Sequence, residues 1–241
     1  KAAGGLPEEI TPAALKGSAG IYNTYPGNYW SQFWKAFPYH AVGKLYFRTW
    51  YGSDAYCSAS VISPRNILVT AAHCVFDTDY DRWHDDFLFV PAARYSTRPY
   101  GSFAFLDAII PTAYVNAGFY AAGIPYDVAL VPVGNNSAGR PVTYYTGYLG
   151  RLWNLAYVMM RTGIGYPSNI SSNYTSVNTA ESYYYANEIM GFGTNTGPGS
   201  SGMPMISIFR PFDSGPKNYV YGVLSGGPNT PNPTWAVNAR F

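Results

Sequence analysis

A chain of 241 residues can bury a sizeable core, either as one large domain or as two small ones sharing an interface. Apolar residues make up 47% and charged residues 12%, with a formal net charge of +2 spread thinly, so no basic stripe offers a footprint for nucleic acid. No run reaches the about 18 apolar residues that would cross a bilayer.

The 24 Tyr, 25 Gly and 19 Pro point to many short strands joined by turns, an all-β class. The opening Lys1-Ala2-Ala3-Gly4-Gly5 lacks the apolar core of a signal peptide, as expected of a mature, processed product. Two cysteines, Cys57 and Cys74, fit one disulfide formed in an oxidising compartment; two buried free thiols are the alternative.

Residues 1–38, rich in Gly, Pro, Ala and aromatics without a period, read as an extended arm on the body, with a weak helical signal at 12–16. From Ala41 the texture becomes β-rich, and strands are predicted at Gly43–Trp50, Cys57–Ile62, Asn66–Thr70, Asp86–Val90, Phe103–Ile110 and Asp127–Val133. A turn-like stretch over 134–141 separates a second set: Leu155–Arg161, Tyr174–Tyr185, Ile189–Gly193, Met203–Phe209, Tyr219–Leu224 and Thr234–Asn238. The expected organisation is an arm (1–38), a first β unit (39–134) and a second (135–241).

Three motifs carry chemistry. In Leu68-Val69-Thr70-Ala71-Ala72-His73-Cys74 an apolar strand ends in small residues and delivers a histidine beside a cysteine. Imidazole exchanges protons near neutral pH, which suits a general base; a structural histidine is the plainer alternative. A Cys57–Cys74 bridge would pin that strand end and stabilise by about 3 kcal/mol. In Gly197-Pro198-Gly199-Ser200-Ser201-Gly202 the glycines let the backbone turn sharply, so that Ser201 projects and neighbouring N–H groups converge. As a bare pattern this is also an ordinary turn. In Tyr126-Asp127-Val128-Ala129-Leu130-Val131 an aspartate opens an apolar strand, where a part-buried carboxylate needs a donor such as the His73 ring. Asp107, inside another apolar run, is the weaker rival.

Together these motifs resemble the chymotrypsin-like serine peptidases, and among them the bacterial V8-like, glutamyl-endopeptidase branch. The resemblance runs from Cys57-Ser58-Ala59-Ser60 through Ala71-Ala72-His73-Cys74 and Asp127-Val128-Ala129-Leu130 to Gly199-Ser200-Ser201-Gly202-Met203-Pro204, with His40-Ala41-Val42-Gly43, Thr162-Gly163-Ile164-Gly165 and Gly222–Gly227 as weaker echoes. It implies two six-stranded antiparallel β-barrels, the first carrying His73 and Asp127 and the second Ser201. It also implies a secreted serine endopeptidase acting alone on polypeptide substrates, without metal or cofactor. Ser201 is then the nucleophile, His73 the base and Asp127 the orienting carboxylate. The Gly199 and Ser201 N–H groups form an oxyanion hole, Ser225 supports the aspartate, and Ser225, Gly226 and Gly227 pair with the substrate backbone.

Two positions depart from the family. Ser200 stands where animal relatives carry the aspartate of their activation switch, and Met203 where a small residue is usual. In glutamyl endopeptidases a histidine and a threonine hold the substrate carboxylate. Thr196 fills the second place, but Leu224 occupies the first, so Asn195, Thr196 and Leu224 are expected to line a pocket for uncharged side chains. Asp77, Asp79, Asp81, Asp85 and Asp86 read as a solvated acidic loop rather than a calcium site. A protease-fold binding protein without activity, or a tyrosine-rich carbohydrate binder, is the rival function.

Overall fold

Short apolar runs broken by glycine and proline cannot bury themselves singly, and in the computed structural model, which describes residues 22–26, 33–119, 122–211, 218–228 and 233–241, they pair into two large, mainly antiparallel sheets and one small hairpin. The chain enters with β1 (Tyr22–Pro26) and then lays down β2 (Val42–Arg48), β3 (Asp54–Ser63) and β4 (Ile67–Thr70). A hairpin of β5 (Phe76–Asp77) and β6 (Arg82–Trp83) follows, then β7 (Asp85–Pro91), β8 (Phe103–Ala104), helix α1 (Thr112–Ala117) and β9 (Ala129–Pro132). These give a six-stranded first sheet in the order β8-β7-β2-β3-β4-β9.

After helix α2 (Val142–Thr146) come β10 (Gly150–Arg151), β11 (Met159–Gly165), β12 (Ser176–Ala186), β13 (Ile189–Gly193), β14 (Pro204–Ser207), β15 (Tyr219–Gly226) and β16 (Trp235–Arg240). In the second sheet β13 pairs with both β16 and β12, which closes a six-stranded barrel over β12-β11-β14-β15-β16-β13. Strand β1 adds to its outside by pairing with β12. No helix among the described residues is long and apolar enough to cross a membrane.

The architecture is the expected all-β one, but the two halves differ. The first sheet is a half-barrel, because the strand predicted over 103–110 stays with β7 only for Phe103–Ala104. The chain then crosses to the other edge, with bridges Phe105–Val133 and Ile109–Leu130 and a Gly134 N–H bond to the Ala104 carbonyl of 2.9 Å. Leu106 and Asp107 are left exposed on this crossing. The predicted strand at Leu155–Arg161 begins only at Met159 and runs on to Gly165. The helical signal at 12–16 lies outside the described residues.

Alternation along β3 shows how one strand serves two cores. Cys57, Ala59 and Val61 point into the first sheet's core with Leu45, Leu68 and Phe89. Ser58 and Ile62 point the other way, and Ile62 joins Val42, Val69, Ile164, Val177, Ile206 and Val223 in a cluster drawn from both sheets. Each such fully buried aliphatic side chain stabilises by about 1.5–3 kcal/mol, so the sheet-to-sheet seam is a true core. In the second barrel Met203, Met205, Phe192 and Tyr221 fill the interior. Met203 finds room because it lies over Gly163 and Gly165: a Cβ on Gly163 would come within 2.5 Å of its Cε, and one on Gly165 within 2.9 Å of its Cγ.

The Cys57–Cys74 disulfide, with Cα atoms 6.2 Å apart, ties β3 to the turn after β4. Replacing both cysteines by alanine should lower unfolding stability by about 3 kcal/mol. Chemical denaturation followed by fluorescence measures this, and an unchanged midpoint would show that the seam alone holds the turn.

Candidate active site

His73 sits where β4 runs out. Ala71 is still extended at φ −77°, ψ 148°, and the chain then tightens into the 3-10 turn Ala72–Cys74. Ala71 and Ala72 are fully buried, so only small side chains fit, and Thr70 anchors the strand end by donating from Oγ1 to the Ser58 carbonyl at 2.8 Å. This presents His73 at the surface of the seam, part-exposed, with its backbone held by the disulfide next door.

Asp127 lies at the end of a second 3-10 turn, Ile124–Tyr126, just before β9, and has no exposed surface. A carboxylate so buried needs donors. It has them: the His73 backbone N–H reaches Oδ1 at 2.9 Å, His73 Nδ1 reaches Oδ2 at 2.8 Å, and the Ser225 hydroxyl also donates to Oδ2. With Asp127 ionised, the proton of a neutral His73 resides on Nδ1, which leaves Nε2 as an acceptor on the open side. The rival Asp107 is exposed and accepts its neighbour Ala108 N–H at 2.8 Å, far from such a role.

Ser201 projects from a loop shaped by two left-handed glycines, Gly199 at φ +86° and Gly202 at φ +78°. A Cβ on Gly202 would overlap Thr70 Oγ1 and the Ser58 carbonyl, so this glycine lets the loop press directly on the strand that carries His73. A Cβ on Gly199 would stand 2.6 Å from the Tyr166 carbonyl and the Tyr56 ring. Behind that ring lies Lys44 Nζ, 4.0 Å from its centroid.

The loop carbonyls turn inward: Ser201 O accepts from Ser58 N at 2.8 Å, and Gly199 O from Ser58 Oγ at 2.9 Å. The alternate N–H groups are also engaged, Ser200 with the Gly197 carbonyl at 3.2 Å and Gly202 with the Leu224 carbonyl at 2.8 Å. Among the described residues the Gly199 and Ser201 N–H groups donate to nothing. Two free donors beside a serine hydroxyl form a receptor for an oxygen that becomes negative. No hydrogen bond joins Ser201 Oγ to His73 among the described residues; such contacts commonly tighten only when substrate is bound.

Beside this loop, Thr196 is buried and its hydroxyl is shared with Thr194 at 2.9 Å. Asn169 bridges the segment, donating to the Asn195 carbonyl at 2.8 Å and accepting from Gly197 N–H at 2.7 Å, while Asn195 Oδ1 is buried without a partner. Leu224, expected as a pocket wall, is 3% exposed and packs into the barrel core with Phe192, Met203 and Tyr221. Gly226 and Gly227 lie at and just beyond the end of β15.

The motifs missed several residues that hold the site. Ser58 links Gly199 to the Tyr166 N–H, and its only signal was its place beside Cys57. Phe119, from a loop without a motif, packs at a tilt against His73, ring centroids 4.6 Å apart, and reaches toward Gly226. His40 contacts Tyr100 and Phe37, outside the site. Cys57, His73 and Cys74 cluster closely enough to suggest a metal, but both sulfurs are committed to the disulfide.

The family model for trypsin matches residues 35–241. No curated protein sequence matches the chain. Among solved structures, the protease Anisep from Arthrobacter nicotinovorans superposes with a TM-score of 0.71 at 22% identity, over 83% of this chain and 90% of that one. The thermostable serine protease AL20 from an extremophilic microorganism gives a TM-score of 0.72 at 21% identity, over 84% and 91%. A Glu endopeptidase gives 0.65 at 19% identity, over 93% of each chain.

Gly202→Ala forces a side chain into both a left-handed backbone and the Thr70 contact, and should cost about 2 kcal/mol or more. Equilibrium unfolding in urea measures it; a loss under about 0.5 kcal/mol would mean the loop relaxes freely away from β4.

Proposed function

The chain belongs to the trypsin family and is a serine endopeptidase, and we propose that it is a secreted enzyme whose catalytic triad is Ser201, His73 and Asp127. The observation that carries this reading is the buried Asp127 carboxylate, bonded to both the backbone and the ring of His73, beside a serine loop with two unused N–H donors. The disulfide supports export to an oxidising compartment.

In this reading the Ser201 hydroxyl attacks the peptide carbonyl as His73 Nε2 takes its proton. Asp127 stays ionised and stabilises the imidazolium through Nδ1–H, while the second carboxylate oxygen, held by the His73 backbone N–H, prevents rotation of the pair. The carbonyl oxygen, now negative, moves to the Gly199 and Ser201 N–H groups, each contributing about 3 kcal/mol at the transition state. Collapse breaks the C–N bond, and His73 returns the proton to the departing amine. Water, deprotonated by the same Nε2, then releases the acyl group from Ser201. The backbone of Ser225 to Gly227 pairs with the acyl-side residues of the substrate as an added strand.

Side-chain selection follows from what lines the primary pocket. Neither Gly193–Pro198 nor Leu224–Gly227 contains a charged residue, and the Thr196 hydroxyl is already engaged by Thr194. Burying an unpaired charge there would cost several kcal/mol. The pocket therefore favours uncharged side chains.

A fluorophosphonate probe should label wild-type protein at Ser201, and Ser201→Ala should lose both the label and, by several powers of ten, amide hydrolysis while keeping its circular dichroism. Labelling elsewhere, or retained turnover, would sink the triad and leave a binding protein on a protease fold. On matched peptides, kcat/KM should be higher for Leu, Phe or Gln on the acyl side than for Glu or Arg. A Glu preference above about tenfold, some 1.4 kcal/mol, would overturn the pocket reading.

A further inference from the structure

On the side of His73 away from the primary pocket, a second cleft of about 440 Å³ opens. No residue of Gly193–Pro198 or Leu224–Gly227 lines it; His73 and Phe119 form its boundary with the reaction centre. The Phe119 ring acts as a partition, 4.6 Å from the His73 ring on one side and with its Cζ 3.6 Å from where a Cβ on Gly226 would lie. The β5–β6 hairpin and the turn between β2 and β3 supply the outer walls.

The lining is aromatic and acidic. Trp50 and Tyr80 stand at the rim, partly exposed, with ring centroids 4.4 Å apart. Asp77 is held between them and the floor: Oδ2 accepts Trp50 Nε1–H at 2.9 Å and Oδ1 accepts Asp79 N–H at 2.9 Å, which leaves lone pairs on both oxygens. Asp79 also lines the cleft. Arg82, opposite Asp77 in the hairpin ladder, is exposed, does not line the cleft and forms no ion pair with Asp77 among the described residues.

Two further lining groups add to this. Burial holds the His84 imidazole below its ordinary value, partly offset by Asp77, so it is neutral at neutral pH. The Tyr114 hydroxyl, also in the lining, is fully buried beside Thr78. Carboxylates beside aromatic faces complement a cation on an apolar stem.

We propose that this cleft is a second specificity pocket that takes an arginine or lysine side chain from a substrate residue flanking the one in the primary pocket. This rests on the catalytic reading above. In an extended substrate successive side chains point to opposite faces. When one enters the uncharged pocket near Thr196, its two chain neighbours project toward the face that carries His73 and the cleft. The enzyme thus selects an uncharged residue and a basic neighbour together, a pairing the primary pocket alone does not specify.

The test uses the full chain and peptides with Leu fixed on the acyl side of the cut, varying the residue before it and the residue after it through Arg, Lys, Gln and Glu. At one of these positions kcat/KM for Arg should exceed Gln by about tenfold and Glu by more. In Asp77→Asn, whose amide oxygen can still accept the Trp50 N–H, the Arg-to-Gln ratio should fall toward one. Tyr80→Leu should lower it severalfold, and serves if Asp77→Asn fails to fold. Equal rates for Arg and Gln at both positions, a Glu preference, or a ratio unmoved by either variant would overturn the pocket. The same peptides titrated into Ser201→Ala, where nothing is cut, give affinities whose Arg-over-Gln order must agree. That arm judges the cleft even if fluorophosphonate labelling fails and the catalytic reading falls with it.

Discussion

A carboxylate with no exposed surface costs several kcal/mol unless donors surround it, and Asp127 draws those donors from distant parts of the chain. Two come from the turn after β4 and one from β15 in the other sheet. Satisfying Asp127 therefore sets the angle of the His73 ring and the approach of the two sheets at once. Removing one donor would leave a buried charge partly unpaired, so this small network resists distortion from either side. In the proposed triad that rigidity suits a group whose partner switches between neutral and charged forms without moving.

The serine loop is positioned by a different physical means. Its carbonyls are held on the first sheet by the backbone N–H and the hydroxyl of Ser58, and these contacts depend on glycines that allow approach closer than any side chain permits. The inward carbonyls and the unused outward N–H groups are two consequences of the same left-handed turns at Gly199 and Gly202. Packing behind the loop reinforces this: Tyr56 fills the space over Gly199, and Lys44, whose ammonium burial disfavours, is sheltered by the tyrosine ring. Met203, the unusual large residue after the loop, is accommodated by the glycines of β11 and so anchors the loop in the second barrel's core.

In the proposed reading, specificity is divided between surfaces of different chemistry. The segment around Asn195 and Thr196 is uncharged and already largely hydrogen-bonded to itself, so in that reading it selects by shape and polarity. The cleft walled by Trp50 and Asp77 lies between the β2–β3 turn and the β5–β6 hairpin, whose outer residues carry charge and exposed aromatic rings. The cleft borders His73 and Phe119, so in the proposed reading this part of substrate selection lies within one side chain's reach of the bond to be cut.

Local sequence determined the all-β class, most strands of the second half and the three motifs around His73, Asp127 and Ser201, because each depends on near neighbours. Small residues end β4 beside His73, glycines flank Ser201, and an apolar strand follows Asp127. Local signals also gave a continuous strand at 103–110, and the family resemblance a pocket wall at Leu224; both depended on matters no short window contains. Where β8 leaves β7 is decided by the pull of β9 across the sheet, and the side to which Leu224 points is decided by the curl of β15 around the barrel core. Ser58, Tyr56 and Phe119 were silent for the same reason: their roles arise only when two sheets meet along the seam, and a serine or an aromatic ring in a strand or loop carries no mark of what will face it.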